Sequence, residues 1–188
     1  FGIPFPQGVL TTNANLSLQS LDGKELPVQV RDTARWGDGS IQWVLVDSLV
    51  PLPATSAAYR VKWGEGIERK MESPLRATVR EDEESVVVDT GALQVQFSKK
   101  HTGLFQAVSL PDGKGGWKPV FPAEGKSDIY LEDGSGKPFY GSLSEPPEVV
   151  VEEAGPLRTA VKIEGWTQAK DGRKLGRHII RVQAFAGQ

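Results

Sequence analysis

The sequence contains no cysteine among its 188 residues. Disulfide bridges and thiolate metal sites are therefore excluded, although the compartment is not decided, since many exported bacterial proteins also lack cysteine. Histidine is scarce as well, with only His101 and His178 far apart in the chain. Zinc sites and activated serine nucleophiles both depend on well-placed histidine, so the sequence predicts no cofactor, no metal and no catalytic residue.

An excess of charge of one sign is also missing. The 22 basic residues nearly balance the 24 acidic residues, the net charge is −2, and the basic residues are scattered along the chain. No basic stripe is available to neutralise phosphates, which disfavours a nucleic-acid partner. No apolar run approaches the roughly 20 residues that a membrane-spanning helix needs. The sequence predicts neither nucleic-acid binding nor a membrane span.

Long helix-forming stretches are absent too. The 21 glycines and 13 prolines are spread along the chain, and both residue types destabilise helix interiors. The longest segment without either, residues 75–90, is interrupted by the acidic residues 81–84 and continues with three valines. This pattern predicts two short strands around an acidic turn.

Turn signals are what the sequence does contain. Asp-Gly occurs five times, and this dipeptide between apolar segments is a strong marker of β-hairpins. The five are Asp22-Gly23, Asp38-Gly39, Asp112-Gly113, Asp133-Gly134 and Asp171-Gly172. The glycine-rich loops at Asp112 and Asp133 lack the alternating acidic ligands and closing glutamate of a calcium loop. Hairpin turns are predicted at all five positions.

Apolar residues alternate with polar ones between these turns. Leu93, Val95 and Phe97 alternate with Gln94 and Gln96, for example. A strand that is apolar on one side and polar on the other is typical of antiparallel sheets. The sequence therefore predicts an all-β protein with 13 to 15 strands and no helix longer than a turn or two.

The chain divides into two predicted domains. Residues 1–66 contain five strand-like segments and are predicted to form a small β-barrel. Residues 67–74 are charged and weakly patterned, which is typical of a linker. Residues 75–188 contain enough strands for an antiparallel β-sandwich.

Several segments together resemble one family. Residues 1–10 read Phe-Gly-Ile-Pro-Phe-Pro-Gln-Gly-Val-Leu, and residues 34–43 read Ala-Arg-Trp-Gly-Asp-Gly-Ser-Ile-Gln-Trp. Residues 89–93, Asp-Thr-Gly-Ala-Leu, and residues 149–158, Val-Val-Val-Glu-Glu-Ala-Gly-Pro-Leu-Arg, follow in the same order. In this order the segments resemble the N-terminal part of exo-acting rhamnogalacturonan lyases and their YetA-like relatives.

The resemblance carries expectations about fold and function. It implies a swapped-hairpin barrel of the RIFT type followed by a β-sandwich, with the lyase active site in an α/α toroid that this chain does not contain. None of the matching positions is catalytic in that family, so this chain is expected to be non-catalytic. The resemblance implies a region that scaffolds or docks pectin-type polysaccharide, and it favours an extracellular or periplasmic location.

Aromatic residues are the best candidates for binding a carbohydrate. The apolar faces of sugar rings stack on exposed tryptophan or tyrosine. Trp36, Trp117 and Trp166 are the predicted carbohydrate-binding residues. For Trp36 packing over the hairpin competes with that role, and for Trp117 and Trp166 packing between domains does so. Trp43 is predicted to lie in the barrel core.

Two other functions are open at this point. Exposed β edges and terminal strands are able to pair with a neighbouring copy, which would make the chain a structural protein that assembles into oligomers or filaments. A carboxylate pair of the kind that glycosidases use is defined by space and not by sequence, so a small self-contained enzyme is a third hypothesis.

Overall fold

A computed structural model describes residues 1–50, 58–70, 72–121 and 127–188. Within these ranges the chain forms sixteen strands and two single-turn 3₁₀ helices, Asn13–Asn15 and Gly141–Leu143. The all-β prediction is confirmed. The predicted number of strands was too low, because strands of two or three residues are too short to show alternation. No helix among the described residues is long and apolar enough to cross a membrane.

The sixteen strands are distributed along the whole of the described chain. They are β1 Gly2–Pro4, β2 Leu16–Ser20, β3 Glu25–Leu26, β4 Val28–Arg35, β5 Ile41–Ser48, β6 Tyr59–Trp63, β7 Thr78–Glu81, β8 Ser85–Asp89, β9 Gln94–Ser98, β10 Ala107–Pro111, β11 Trp117–Phe121, β12 Tyr130–Glu132, β13 Pro138–Tyr140, β14 Glu148–Ala154, β15 Arg158–Gln168 and β16 Lys174–Phe185. Residues 75–90 contain β7 and β8, which confirms the prediction of two short strands around an acidic turn.

The chain folds into two compact units, Phe1–Pro74 and Leu75–Gln188. In the first unit, β5 lies between β1 and β4 in one sheet, and β2 lies between β3 and β6 in another. All of these pairs are antiparallel. Leu16 and Leu18 from β2 and Val44 and Val46 from β5 are buried in one apolar core between the sheets. That core holds the first unit together.

Trp43 is not in this core, and the prediction that it would be is wrong. Its side chain is 44% exposed, whereas its neighbour Val44 is fully buried. The strand Ile41–Ser48 is apolar in both phases of the alternation, so its sequence does not show which phase faces inward. Instead Trp43 covers Gly2, where an added Cβ atom would lie 2.5 Å from the indole Nε1.

The second unit consists of two antiparallel sheets. One sheet has the strand order β11-β10-β9-β8-β7. In the other, β15 is central, with β16 along one side and β14 and β13 in succession along the other, and β12 beyond β13. Val86, Val88 and Phe97 from the first sheet pack with Val161 and Ile163 from the second. In each of these alternating strands, the apolar residues are the ones that point into this core.

All five Asp-Gly dipeptides lie in turns that join paired antiparallel strands. Four of the five glycines have the positive φ that favours glycine over other residues. Gly134 is the exception, and Gly136 adopts the positive φ of that turn instead, at 80°. The hairpin prediction is confirmed at every position.

Candidate functional site

The candidate site lies on the face of the β15 sheet that points away from the sandwich core. Residues of β15 alternate across this sheet, so Val161 and Ile163 point into the core. Lys162, Glu164 and Trp166 therefore point outward, together with the residues that pair with them on β14 and β16. We call this surface the outer face. It carries Trp166, whose side chain is 40% exposed.

Charged side chains surround Trp166. The Lys174 ammonium lies 5.8 Å from the centroid of the indole ring, within the range of a cation–π interaction. The same ammonium donates to Glu145 at 2.7 Å. Arg177 is the cross-strand partner of Trp166, and its Nε donates to Glu164 at 2.8 Å. The ring is thus held among groups that donate and accept hydrogen bonds.

The basic side chains of the outer face all have carboxylate partners. Besides Lys174 and Arg177, Lys162 lies 3.3 Å from Glu164, and Arg181 Nε donates to Glu152 at 2.8 Å. The hydrogen bond from Arg177 lowers the pKa of the Glu164 carboxyl. Likewise, the hydrogen bond from Lys174 lowers the pKa of Glu145. These pairs hold the carboxyls ionised and leave the face with little excess charge of either sign.

Two tyrosines on the outer face were not among the predicted site residues. Tyr130 is 51% exposed, and its ring centroid lies 5.4 Å from that of Tyr140, its cross-strand partner. Tyr140 in turn pairs with Gln168 of β15. The Asp133-Gly134 turn signals the hairpin that carries both tyrosines, but no local pattern indicates that the hairpin joins β15.

Trp36 lies in the first unit, in the turn that follows β4. It is half-buried, and its indole N–H donates to the carbonyl oxygen of Phe5 at 3.0 Å. Its backbone N–H donates to the Ser40 carbonyl at 2.8 Å. The indole is thus tied to the segment after β1.

Trp117 lies at the start of β11, the edge strand of the other sheet of the second unit. Its side chain is half-buried, and it pairs with Pro111 of β10. The structure therefore does not bring Trp36, Trp117 and Trp166 together on one sheet. Trp166 is the most exposed of the three. It also lies among charged side chains that can donate and accept hydrogen bonds on the outer face.

The two histidines lie in different parts of the second unit. His101 is exposed in the connection between β9 and β10, and its backbone N–H donates to Ser98 Oγ. His178 is half-buried on β16 against Gly165. Both ring nitrogens of His178 lack a hydrogen-bond partner in the described part of the chain, and burial lowers the pKa of this histidine.

The two glycine-rich Asp loops are turns built by their own carboxylates. Asp112 Oδ1 accepts the backbone N–H groups of Lys114 and Gly116 at 2.7 and 2.8 Å. Asp133 Oδ1 accepts those of Ser135 and Lys137 at 2.9 and 3.0 Å. Across the described ranges, no group of three or more histidine, cysteine or acidic residues is arranged to hold a metal ion.

These features define a class of protein: an all-β chain of two units, with an aromatic and hydrogen-bonding sheet face in the second. The chain belongs to the PcRGLX-like family. Residues 1–64 match the PcRGLX-like N-terminal RIFT barrel domain, and residues 77–188 match the PcRGLX-like protein central β-sandwich domain. The predicted order of a barrel followed by a sandwich is confirmed, as is the resemblance to the family.

The chain is also similar to YetA of Bacillus subtilis (strain 168). The two sequences are 25% identical over 196 aligned residues, which include 100% of this chain and 21% of YetA. The chain thus spans about a fifth of the length of this relative. Its two domains resemble the non-catalytic N-terminal region of rhamnogalacturonan lyases.

Proposed function

We propose that this chain is the non-catalytic N-terminal region of a polysaccharide-lyase-like protein and that its sandwich docks pectin-type polysaccharide. The family supports the first part of this proposal, because both domains match regions that accompany other domains in a longer protein. The single observation that carries the second part is Trp166, exposed on a sheet and surrounded by paired charged groups.

The physical argument concerns how sugars are recognised. A pyranose ring offers apolar C–H groups on its faces and hydroxyls around its rim, so a binding site needs a flat apolar platform beside polar groups. Trp166 supplies the platform, and Lys174, Arg177 and Glu164 supply donors and acceptors beside it. Because these side chains already hold one another in place, little conformational entropy is lost when a sugar binds.

The catalytic step belongs to another part of the protein under this proposal. The sandwich would hold the glycan beside a toroidal lyase domain, with the barrel as part of the scaffold, and the location would be extracellular or periplasmic. The ionisable groups support this division, because the two histidines lie far apart in the chain and the carboxylates of Asp112, Asp133 and Glu164 are engaged in turns or ion pairs.

Binding of pectin-type polysaccharides to the 188-residue chain tests the proposal. In affinity electrophoresis through gels containing branched rhamnogalacturonan, the wild-type chain should be retarded. We expect Trp166→Ala to weaken binding about tenfold, the effect of losing one aromatic platform. Trp36→Ala and Trp117→Ala test the other two predicted residues in the same gels. Wild-type mobility that no pectin-type polysaccharide changes would contradict the proposal.

Assembly through β edges is the second candidate, and one observation favours it. The strand β16, Lys174–Phe185, is twelve residues long and pairs only with β15 within the described chain. The strand carries Lys174, Arg177 and Arg181 on the outer face, however, and charged side chains on an edge strand oppose pairing with another strand. Sedimentation of the chain at high concentration decides: a 20.4 kDa monomer supports docking, and a concentration-dependent oligomer supports assembly.

A further inference from the structure

A line of side chains crosses four strands of the outer face. Tyr130 of β12 pairs with Tyr140 of β13, Tyr140 pairs with Gln168 of β15, and Gln168 pairs with Lys174 of β16. Directly paired residues in antiparallel strands point to the same side of a sheet. Trp166 points to that side as well, because it precedes Gln168 by two residues on β15.

The aromatic members of this line are spaced for an extended ligand. Neighbouring strands lie ~4.8 Å apart and each residue rises ~3.3 Å, which places the Cα atoms of Trp166 and Tyr130 ~12 Å apart. A short run of linked pyranose rings covers such a distance. Trp166 and Tyr130 stand at the two ends, with the amide of Gln168 between them as a donor and acceptor for ring hydroxyls.

The charges on this surface point to the class of sugar. An acidic glycan would need a cation whose charge is not already matched, but Lys174 is paired with Glu145 and Arg177 with Glu164. At the Tyr130 end of this line of side chains, the Tyr130 hydroxyl donates to Glu132, and this hydrogen bond raises the pKa of Tyr130. Burying a uronate beside these carboxylates would be opposed by repulsion between like charges.

We infer that the outer face is a multi-ring binding site for a neutral, linear glycan that runs across the strands from Trp166 to Tyr130. The inference rests on the proposed polysaccharide docking and names the chemical class of the docked segment. That segment is a neutral branch of an acidic polysaccharide, which offers ring hydroxyls and C–H faces without a uronate charge. Lys174 acts as a positioning residue that fixes the indole ring.

The test is calorimetric titration of the 188-residue chain with two sets of oligosaccharides. Unbranched neutral oligosaccharides of galactose, arabinose or xylose form one set, and oligogalacturonides form the other. We expect one or more of the neutral ligands to bind with an affinity that barely changes between low and high salt, because no net charge is neutralised. A branched pectin compared with the same pectin stripped of its neutral side chains then separates a free glycan from a branch.

Substitutions locate the site. Trp166→Ala and Tyr130→Ala should each weaken neutral-glycan binding about tenfold, whereas Trp166→Phe, which keeps a ring, should weaken it less. Trp43→Ala is the matched control, because Trp43 is similarly exposed at 44% but lies in the first unit. Its affinity should stay within twofold of wild type. Thermal unfolding of each variant verifies that it is folded.

The outcomes separate this inference from the proposed function. Stronger binding of oligogalacturonides that falls with added salt would overturn the neutral class and leave the docking function standing. Glycan binding that Trp166→Ala and Tyr130→Ala do not change would overturn the site alone. Failure of every glycan, acidic or neutral, to bind the wild-type chain would overturn the docking function together with the inference.

Discussion

At the scale of single residues, His178 occupies an unusual environment. It lies on the inward side of β16, where an added Cβ atom at Gly165 would lie 2.9 Å from its Nε2 atom. Both ring nitrogens are buried, and neither has a hydrogen-bond partner in the described part of the chain. Burial lowers the pKa of His178, and the nearby Glu164 carboxylate opposes this shift only in part.

This environment predicts a loss of stability in acid. The folded-state pKa of His178 lies below its unfolded value, so the unfolded chain binds the proton more tightly. The free energy of unfolding should therefore fall as the pH drops below the ordinary histidine value of about 6.5. His178→Phe removes the titrating group and its two unpartnered nitrogens and keeps a ring of similar shape. Urea unfolding at pH 7.5 and 5.5 should give a smaller acid-induced loss for this variant, and an equal loss would contradict the prediction.

Trp43 and Trp166 show when the exposure of a single side chain can be predicted from the alternation of its strand and when it cannot. Trp166 is out of phase with the apolar side of its strand, and this phase correctly indicates an exposed position. Trp43 lies in a strand with apolar residues in both phases, and register shifts in the pairing of β4 with β5 occur beside it. In that strand, tertiary packing decides which residues point inward, and the local sequence pattern carries no information about this packing.

At the scale of elements, the turns carry a prediction about glycine. Gly172 joins β15 to β16 with φ at 85°, whereas Gly134 joins β12 to β13 without a positive φ. Both have open space where a Cβ atom would be added. We expect Gly172→Ala to lower the free energy of unfolding by about 1–2 kcal/mol, the cost of a left-handed conformation for an L-residue. Gly134→Ala is the matched control and should cost only a few tenths of a kcal/mol by urea unfolding.

Equal effects of the two substitutions would contradict this assignment of backbone conformation. The sequence alone treats all Asp-Gly dipeptides alike, because it shows where a hairpin turns but not which residue of the loop takes the positive φ. In the loop of residues 133–136 a second glycine is available, and Gly136 adopts that conformation. Turn positions are therefore predictable from sequence, and turn types only in part.

The outer face shows the same limit for strands. Alternation predicts which residues of β15 point outward, and this part of the candidate site was accessible from the sequence. Which strands flank β15 was not, because β16 follows it through a short hairpin while β13 reaches it across a long separation in the chain. The line of side chains from Trp166 to Tyr130 forms only because β13 pairs with β15, and these two strands are far apart in the sequence.

At the scale of the whole molecule, the chain has two separate apolar cores, one in each unit. We propose that residues 67–74 link two domains, 1–66 and 75–188, although part of this segment is tied to the first unit. Arg69 donates to the carbonyl oxygen of Asn13 at 2.7 Å, and the Lys70 N–H donates to Glu25 at 3.0 Å. Residue 71 of the segment lies outside the described residues.

Separate cores predict separate unfolding transitions. Ile41 in the first core and Ile163 in the second are fully buried, so Ile→Val at either position removes one buried methylene group and costs about 1 kcal/mol. A loss of that size lowers the midpoint of a small domain by about 4–8 °C. In calorimetry of the whole chain, Ile41→Val should lower the midpoint of one transition and Ile163→Val the other, each leaving its companion unchanged. Because the two substitutions are chemically identical and differ only in the core that they affect, a shift of both midpoints by either one would mean that the units unfold as a single cooperative domain.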